Sequence, residues 1–157
     1  MRRTPLLLMV VALLAGCARA SGPGDQITPD TPTPTTPGPV VNLEISCQVF
    51  YRDNVEESPD EGESVTLVSD GDVGRIERGA LVFEARYLDD GFEGRALSIH
   101  VTEGDRPVST HLYQLRRDET PVNEFEGGHG FTGLAYSYSS HGAELQHFCT
   151  ARALRDQ

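Results

Sequence analysis

The chain has 157 residues and a formal net charge of −11 at pH 7, and all of its basic side chains other than histidine are arginines. An acidic surface repels phosphate groups, so this balance argues against nucleic acid and anionic lipid as partners of the folded part. The length remaining after the N-terminal segments is enough for one domain with a hydrophobic core and too short for two.

The N-terminus has the pattern of an export signal. Arg2 and Arg3 precede an unbroken apolar run, LLLMVVALLA, over residues 6–15, which is typical of a signal-peptide core. Ten apolar residues rise only about 15 Å as a helix, so the run is too short for a permanent membrane span. We therefore predict a signal peptide over residues 1–16.

The predicted signal peptide ends directly before Cys17, and the sequence Leu14-Ala15-Gly16-Cys17 at this boundary resembles the lipobox of bacterial lipoproteins. The resemblance covers residues 1–17 and implies that Cys17 becomes the new N-terminus, with a thioether-linked diacylglycerol and an acyl chain such as palmitate on its amine. Two or more acyl chains give a stable membrane anchor. The resemblance thus implies a membrane-anchored, extracytoplasmic protein. Because residue 18 is Ala rather than Asp, it points to the outer membrane if the host is Gram-negative.

A proline-rich segment follows the cysteine. Prolines stand at positions 23, 29, 32, 34, 37 and 39, interspersed with threonines. Such spacers favour the polyproline II conformation at about 3.1 Å per residue, so some twenty residues reach on the order of 60 Å. We predict that residues 17–41 are a disordered tether and that residues 42–157 form the folded domain.

The domain sequence has the periodicity of strands and no convincing helical spacing. Apolar residues alternate with polar ones over residues 43–52, and similar runs occupy residues 64–69, 80–88, 95–102, 110–116, 131–139 and 144–152. Turn residues separate these runs at intervals that suit antiparallel neighbours. Seven such strands predict an all-β, antiparallel β-sandwich of Ig-like or jelly-roll style, with a barrel as the alternative.

Two cysteines, Cys47 and Cys149, lie near the two ends of this domain. An isolated pair in an oxidising compartment indicates a disulfide, whereas a redox or metal role usually needs cysteines close in sequence. A bond requires the first and last strands to lie within about 6 Å in Cα separation, as neighbours or across the two sheets. Val49 and His147 would then flank the bond.

Acidic loops suggest a cation site. If residues 74–88 are one bent strand, loops alternate between the two ends of the domain so that loops 53–63, 89–94 and 117–130 share one end. The carboxylates that they supply include Asp53, Asp60, Asp89, Asp90 and Asp118. Oxygen ligands of this kind suit calcium. No loop has EF-hand spacing, however, and solvated loops often contain aspartate, so calcium is an alternative and the leading expectation is no cofactor.

No catalytic motif stands out. The histidines at 100, 111, 129, 141 and 147 lack the HxxxH or HExxH spacing of metal sites, and no GxSxG or SxxK motif accompanies the serines near residue 140. Tyr136 and Tyr138 alternate with serines, so both rings point to one face. Core packing is the simplest account of them, because a carbohydrate-stacking platform without Trp is weakly supported, although Tyr can serve.

These observations together predict a non-catalytic binding or envelope-structural module. Its partners are the membrane, through the lipid on Cys17, and an unknown protein or envelope component. Two alternatives remain open: a calcium-binding β-sandwich with an acidic loop end, and an enzyme or inhibitor accessory domain whose site forms only on folding. A concave pocket with a titratable pair favours an enzyme, and an exposed apolar patch favours partner binding.

Overall fold

The computed structural model describes residues 40–89, 94–124 and 127–154, and these residues form strands and loops without a helix. No helix there is therefore long and apolar enough to cross a membrane. The strands are β1 (Leu43–Arg52), β2 (Glu63–Leu67), β3 (Val73–Arg78), β4 (Leu81–Asp89), β5 (Arg95–Glu103), β6 (Arg106–Leu115), β7 (Ala135–Tyr138) and β8 (Glu144–Ala153). The predicted signal peptide, the predicted lipidation site Cys17 and Asp90 lie outside the described residues.

The strands form two four-stranded sheets. Sheet A has the order β2-β1-β8-β7 and sheet B the order β3-β4-β5-β6, and all neighbours are antiparallel. This confirms the predicted antiparallel β-sandwich. Each strand pairs with the strand before it in the chain, except that the connections from β2 to β3 and from β6 to β7 cross between the sheets. The chain therefore follows a meander. It differs from the Greek-key order of Ig-like and jelly-roll domains.

One strand more than predicted is present, because residues 74–88 are not one bent strand. They are divided between β3 and β4, which pair as a hairpin around a turn at Gly79 and Ala80. Gly79 has a φ of 54°, a conformation that glycine adopts at little cost. The added reversal sends every later loop to the other end of the domain, so the predicted convergence of loop 53–63 with loops 89–94 and 117–130 is wrong.

The core lies between the two sheets. Alternate residues of each central strand point inward and are almost completely buried, among them Leu43, Ile45, Val49, Leu81, Phe83, Leu97, Ile99 and Leu145. At one side of the sandwich β2 and β3 approach closely, where a Cβ on Gly74 would lie 2.6 Å from the Cβ of Val65. Glycine at position 74 thus permits the two sheets to close over the core.

Cys47 and Cys149 form the predicted disulfide. The two residues stand directly opposite each other on β1 and β8, their Cα atoms are 4.0 Å apart, and both are fully buried. The first and last strands are therefore neighbours in one sheet, and Val49 pairs with His147 beside the bond as predicted.

Side chains from the loop between β6 and β7 cover part of the edge of β8. Strand β7 pairs only with residues 144–147 of β8. Beyond it, the Ala151 N–H donates to Asn123 Oδ1 at 2.9 Å, Asn123 Nδ2 donates to the Ala151 carbonyl at 2.6 Å, and the Cys149 N–H donates to Thr132 Oγ1 at 2.8 Å. These contacts satisfy backbone groups that a free sheet edge exposes.

A buried arginine fixes the position of the chain just before β1. The Arg95 side chain is 0% exposed and lies 3.8 Å from the Asp89 carboxylate, and its guanidinium donates to the carbonyl oxygens of Val41 and Arg117. The Val41 N–H also donates to the Arg117 carbonyl at 2.9 Å. Residue 41 and the start of loop 116–134 are therefore held together at one end of the sandwich.

Candidate functional site

The described members of the predicted calcium set do not form one group. Asp53 and Asp60 lie in the loop between β1 and β2, whereas Asp89 ends β4 and Asp118 follows β6, at the opposite end of the antiparallel sandwich. The reason is the additional β3–β4 hairpin. Among the described residues, no three His, Cys, Asp or Glu side chains are placed to hold a metal ion.

Protein groups already surround the carboxylates of this set. Asp60 accepts from the N–H groups of Tyr51 and Gly62, each at 3.0 Å. Asp89 lies 3.1 Å from an Arg117 nitrogen, and Asp118 lies 3.1 Å from an Arg116 nitrogen. Hydrogen bonds and ion pairs within the protein therefore account for these carboxylates.

Two histidines meet inside the sandwich. His147 of β8 is fully buried, and its ring centroid lies 5.2 Å from that of Phe83 and 5.7 Å from that of His111. Among the described residues neither ring nitrogen of His147 has a hydrogen-bond partner. Burial, with a further contribution from His111, lowers the pKa of His147 to about 4, so this ring is neutral at pH 7.

The tyrosines of β7 face outward, which corrects the prediction that they pack in the core. Tyr136 and Tyr138 are 48% and 51% exposed, and Ser137 between them is buried. The Ser137 hydroxyl lies 2.7 Å from the hydroxyl of Ser109 on β6. The two hydroxyl groups can hydrogen-bond to each other where the sheets approach. Ser137 therefore faces inward, and the rings of Tyr136 and Tyr138 face outward.

The outer face of sheet A carries a group of rings, which we call the aromatic face: Phe50, His129, Tyr136, Tyr138 and Phe148. The ring centroids of Phe50 and Phe148 are 6.3 Å apart, and those of His129 and Phe148 are 5.3 Å apart. The strand register places Phe50, Gln146 and Tyr136 in one row across three strands. The rings of this face are thus interspersed with hydrogen-bonding groups.

A hydrogen-bonded network borders the aromatic face at the end of these strands. Glu144 is 1% exposed and accepts from Arg52 Nη2 at 2.8 Å and from Gln146 Nε2. Burial works to raise the pKa of the Glu144 carboxyl, but these hydrogen bonds outweigh it and its pKa lies below the ordinary value. Interaction with the Glu144 carboxylate raises the pKa of Tyr138.

Clefts among the described residues include one of about 660 Å³ on sheet B, lined in part by Leu88, Ala96 and Leu112, and one of about 460 Å³ beside it, lined in part by Tyr113, Pro121 and Phe131. A smaller cleft of about 180 Å³ adjoins Gln48 and Phe50 on sheet A. The aromatic face is the candidate site, because half-exposed rings and hydrogen-bonding groups meet on it.

Sequence reasoning singled out Tyr136, Tyr138 and His129 of this face, but assigned the tyrosines to the core and weighed His129 only as a metal ligand. For Phe50 and Phe148, the feature of the sequence that indicates an outward position is the period of two in β1 and β8. The alternation that buries Val49 and Cys149 must turn Phe50 and Phe148 to the outer side.

Comparison of the chain with protein-family models, with curated proteins and with solved structures found no match. The class of protein is thus defined by geometry: an all-β sandwich with a buried disulfide between its first and last strands and an aromatic outer sheet face.

Proposed function

We propose that the protein is a lipid-anchored, extracytoplasmic, non-catalytic binding module and that the aromatic face is its ligand-binding surface. The observation that carries this proposal is the pair of half-exposed rings, Tyr136 and Tyr138, on one short strand. Tyrosine is enriched where proteins bind other molecules, and grouped exposed apolar surface is typical of interaction sites.

The membrane anchor is the second element of the proposal. It is supported by the apolar run of residues 6–15 and by the lipobox-like Leu14-Ala15-Gly16-Cys17. The lipid then fixes the chain to the membrane, the proline-rich segment extends from it, and the β-sandwich binds a separate component of the envelope.

The anchor is tested by Cys17→Ser. This variant is expected to leave the membrane fraction and appear in the soluble extracytoplasmic fraction, because the thioether cannot form on serine. Immunoblotting of fractionated cells measures the change. Ala20→Ser is the matched control, since it introduces the same side chain three residues further on, and it should remain with membranes. Membrane retention of the Cys17→Ser protein contradicts lipidation at this residue.

Ligand binding by the aromatic face is tested with the full chain carrying Cys17→Ser, so that lipid does not contribute. We expect this protein to co-sediment with delipidated envelope material from its source bacterium. Adding Tyr136→Ala and Tyr138→Ala should weaken binding about fivefold or more, because each ring contact contributes about 0.5–1.5 kcal/mol. The Phe replacements at both positions keep the rings and should retain most of the affinity.

Leu112→Ser provides the matched control for the alanine variants. Leu112 is 64% exposed and lies on the outer face of sheet B, so its replacement removes apolar surface without touching the aromatic face. Its binding should equal that of the parent, and the melting temperature of each variant establishes that the variant is folded under the conditions of the binding assay. If the double alanine variant binds as tightly as the parent, the aromatic face is not the binding surface.

A further inference from the structure

Arg52 and Glu144, which border the aromatic face at the end of its strands, neutralise each other. Arg52 Nη2 donates to the Glu144 carboxylate at 2.8 Å, and Arg52 Nη1 donates to the carbonyl oxygens of Val55 and Glu57 at 2.9 and 3.0 Å. A phosphate or carboxylate ligand would have to break this pairing and would approach a chain of net charge −11. Because Arg52 and Glu144 are paired with each other, neither is free to pair with a charged group of a ligand, and an uncharged ligand suits this border of the face.

The arrangement of the two tyrosine rings and the Gln146 amide indicates which chemical class of ligand fits the aromatic face. Tyr136 and Tyr138 lie on the same side of β7, about 7 Å apart along the strand, and Gln146 stands between Tyr136 and Phe50 in one row. A wholly apolar ligand would take the Gln146 amide out of water without replacing its hydrogen bonds, at a cost in free energy. A ligand with apolar faces and hydroxyl edges suits both kinds of group.

We infer that the aromatic face binds an uncharged polysaccharide, whose sugar rings lie on Tyr136 and Tyr138 and whose hydroxyl groups bond to polar side chains such as Gln146. A sugar ring presents C–H groups on its faces and hydroxyls around its edge, which is the combination that this surface requires. This inference rests on the proposed function, because it names the chemical class of ligand for the same face.

Affinity electrophoresis tests this inference with the full chain carrying Cys17→Ser. Native gels contain dextran, mixed-linkage β-glucan, galactomannan or N-acetylated glycol chitin, with polygalacturonate as the charged comparison. At least one of the four uncharged polymers should retard migration. Adding Tyr136→Ala and Tyr138→Ala should abolish the retardation, Leu112→Ser should preserve it, and polygalacturonate should have no effect.

Three results overturn the inference: no retardation by any of the four uncharged polymers, retardation by polygalacturonate, or equal retardation of the parent and the double alanine variant. The proposed function is judged separately, by tyrosine-dependent binding to envelope material. If that binding is present and proteinase digestion of the envelope material abolishes it, the ligand is a protein. The polysaccharide inference then fails while the proposed function stands.

Discussion

Acidification from pH 6.5 to 4 is expected to lower the free energy of unfolding by about 3 kcal/mol through His147 alone. Its pKa falls from an ordinary 6.5 to about 4 in the folded protein, first because it is buried and second because of His111. Between these pH values the unfolded chain binds a proton that the folded chain does not. Stability from this residue is therefore complete above pH 6.5, decreases as the pH falls and levels off below about pH 4.

Urea unfolding midpoints at intervals of half a pH unit measure this dependence. His147→Leu removes the titrating group and should flatten the profile between pH 4 and 6.5, whatever its effect on absolute stability. His141→Gln is the control, because His141 is an exposed loop residue, and it should keep the steep profile. An unchanged pH slope in His147→Leu means that another group causes the acid sensitivity.

Loss of the disulfide is expected to cost still more. Cys47 and Cys149 are 102 positions apart, and a cross-link that closes a loop of about 100 residues stabilises a protein by up to about 4.7 kcal/mol by restricting the unfolded chain. That amount is comparable with the whole stability of many domains. Cys47→Ala with Cys149→Ala should therefore shift the urea midpoint at pH 7 strongly downward.

A reducing agent provides the internal control for this experiment. It should destabilise the parent protein by a similar amount and leave the double alanine variant unchanged. Equal unfolding midpoints for the parent and the variant, without reductant, contradict a stabilising bond. Labelling of both thiols in the denatured, unreduced parent contradicts the bond itself.

Strands with one buried and one solvated face were predictable from the sequence. Strand β1 was predicted with its observed bounds, and β8 ends one residue beyond its prediction. The period of two in these strands is unambiguous, because a shift of one residue would bury the polar side chains and expose the apolar ones. The disulfide followed from the isolated cysteine pair, and the structure adds that the two residues are direct cross-strand partners.

The hairpin between β3 and β4 was not predictable from the same pattern. The turn at Gly79-Ala80 lacks the Asn-Gly or Asp-Gly signal of the commonest two-residue turns, so the two strands resembled one. Strand β6 begins at Arg106, earlier than predicted. The proline at 107 argued against a strand there, yet an edge strand tolerates proline because one side of it has no partner.

The orientation of β7 depends on a residue distant in sequence. In the alternating run Ala135–Tyr138, either the serine or the tyrosines can face inward as far as local pattern shows. The choice follows from Ser109, 28 residues earlier, whose hydroxyl meets that of Ser137. The aromatic face combines residues of β1, β7, β8 and a loop, and only the folded register brings these together.

The attachment of the chain at Val41 has a mechanical consequence. Strand β1 lies inside sheet A between β2 and β8, and all ten of its residues pair with β8. If a ligand is held on β7 and β8 while tension acts on residue 41, the force runs along β1. The hydrogen-bonded pairs between β1 and β8 are then loaded together in shear and do not open one after another. The Cys47–Cys149 bond transfers part of this load covalently to β8. Forced unfolding is limited by the rate of unfolding, so loading in shear together with the disulfide is expected to slow the separation of β1 from β8 when residue 41 is pulled.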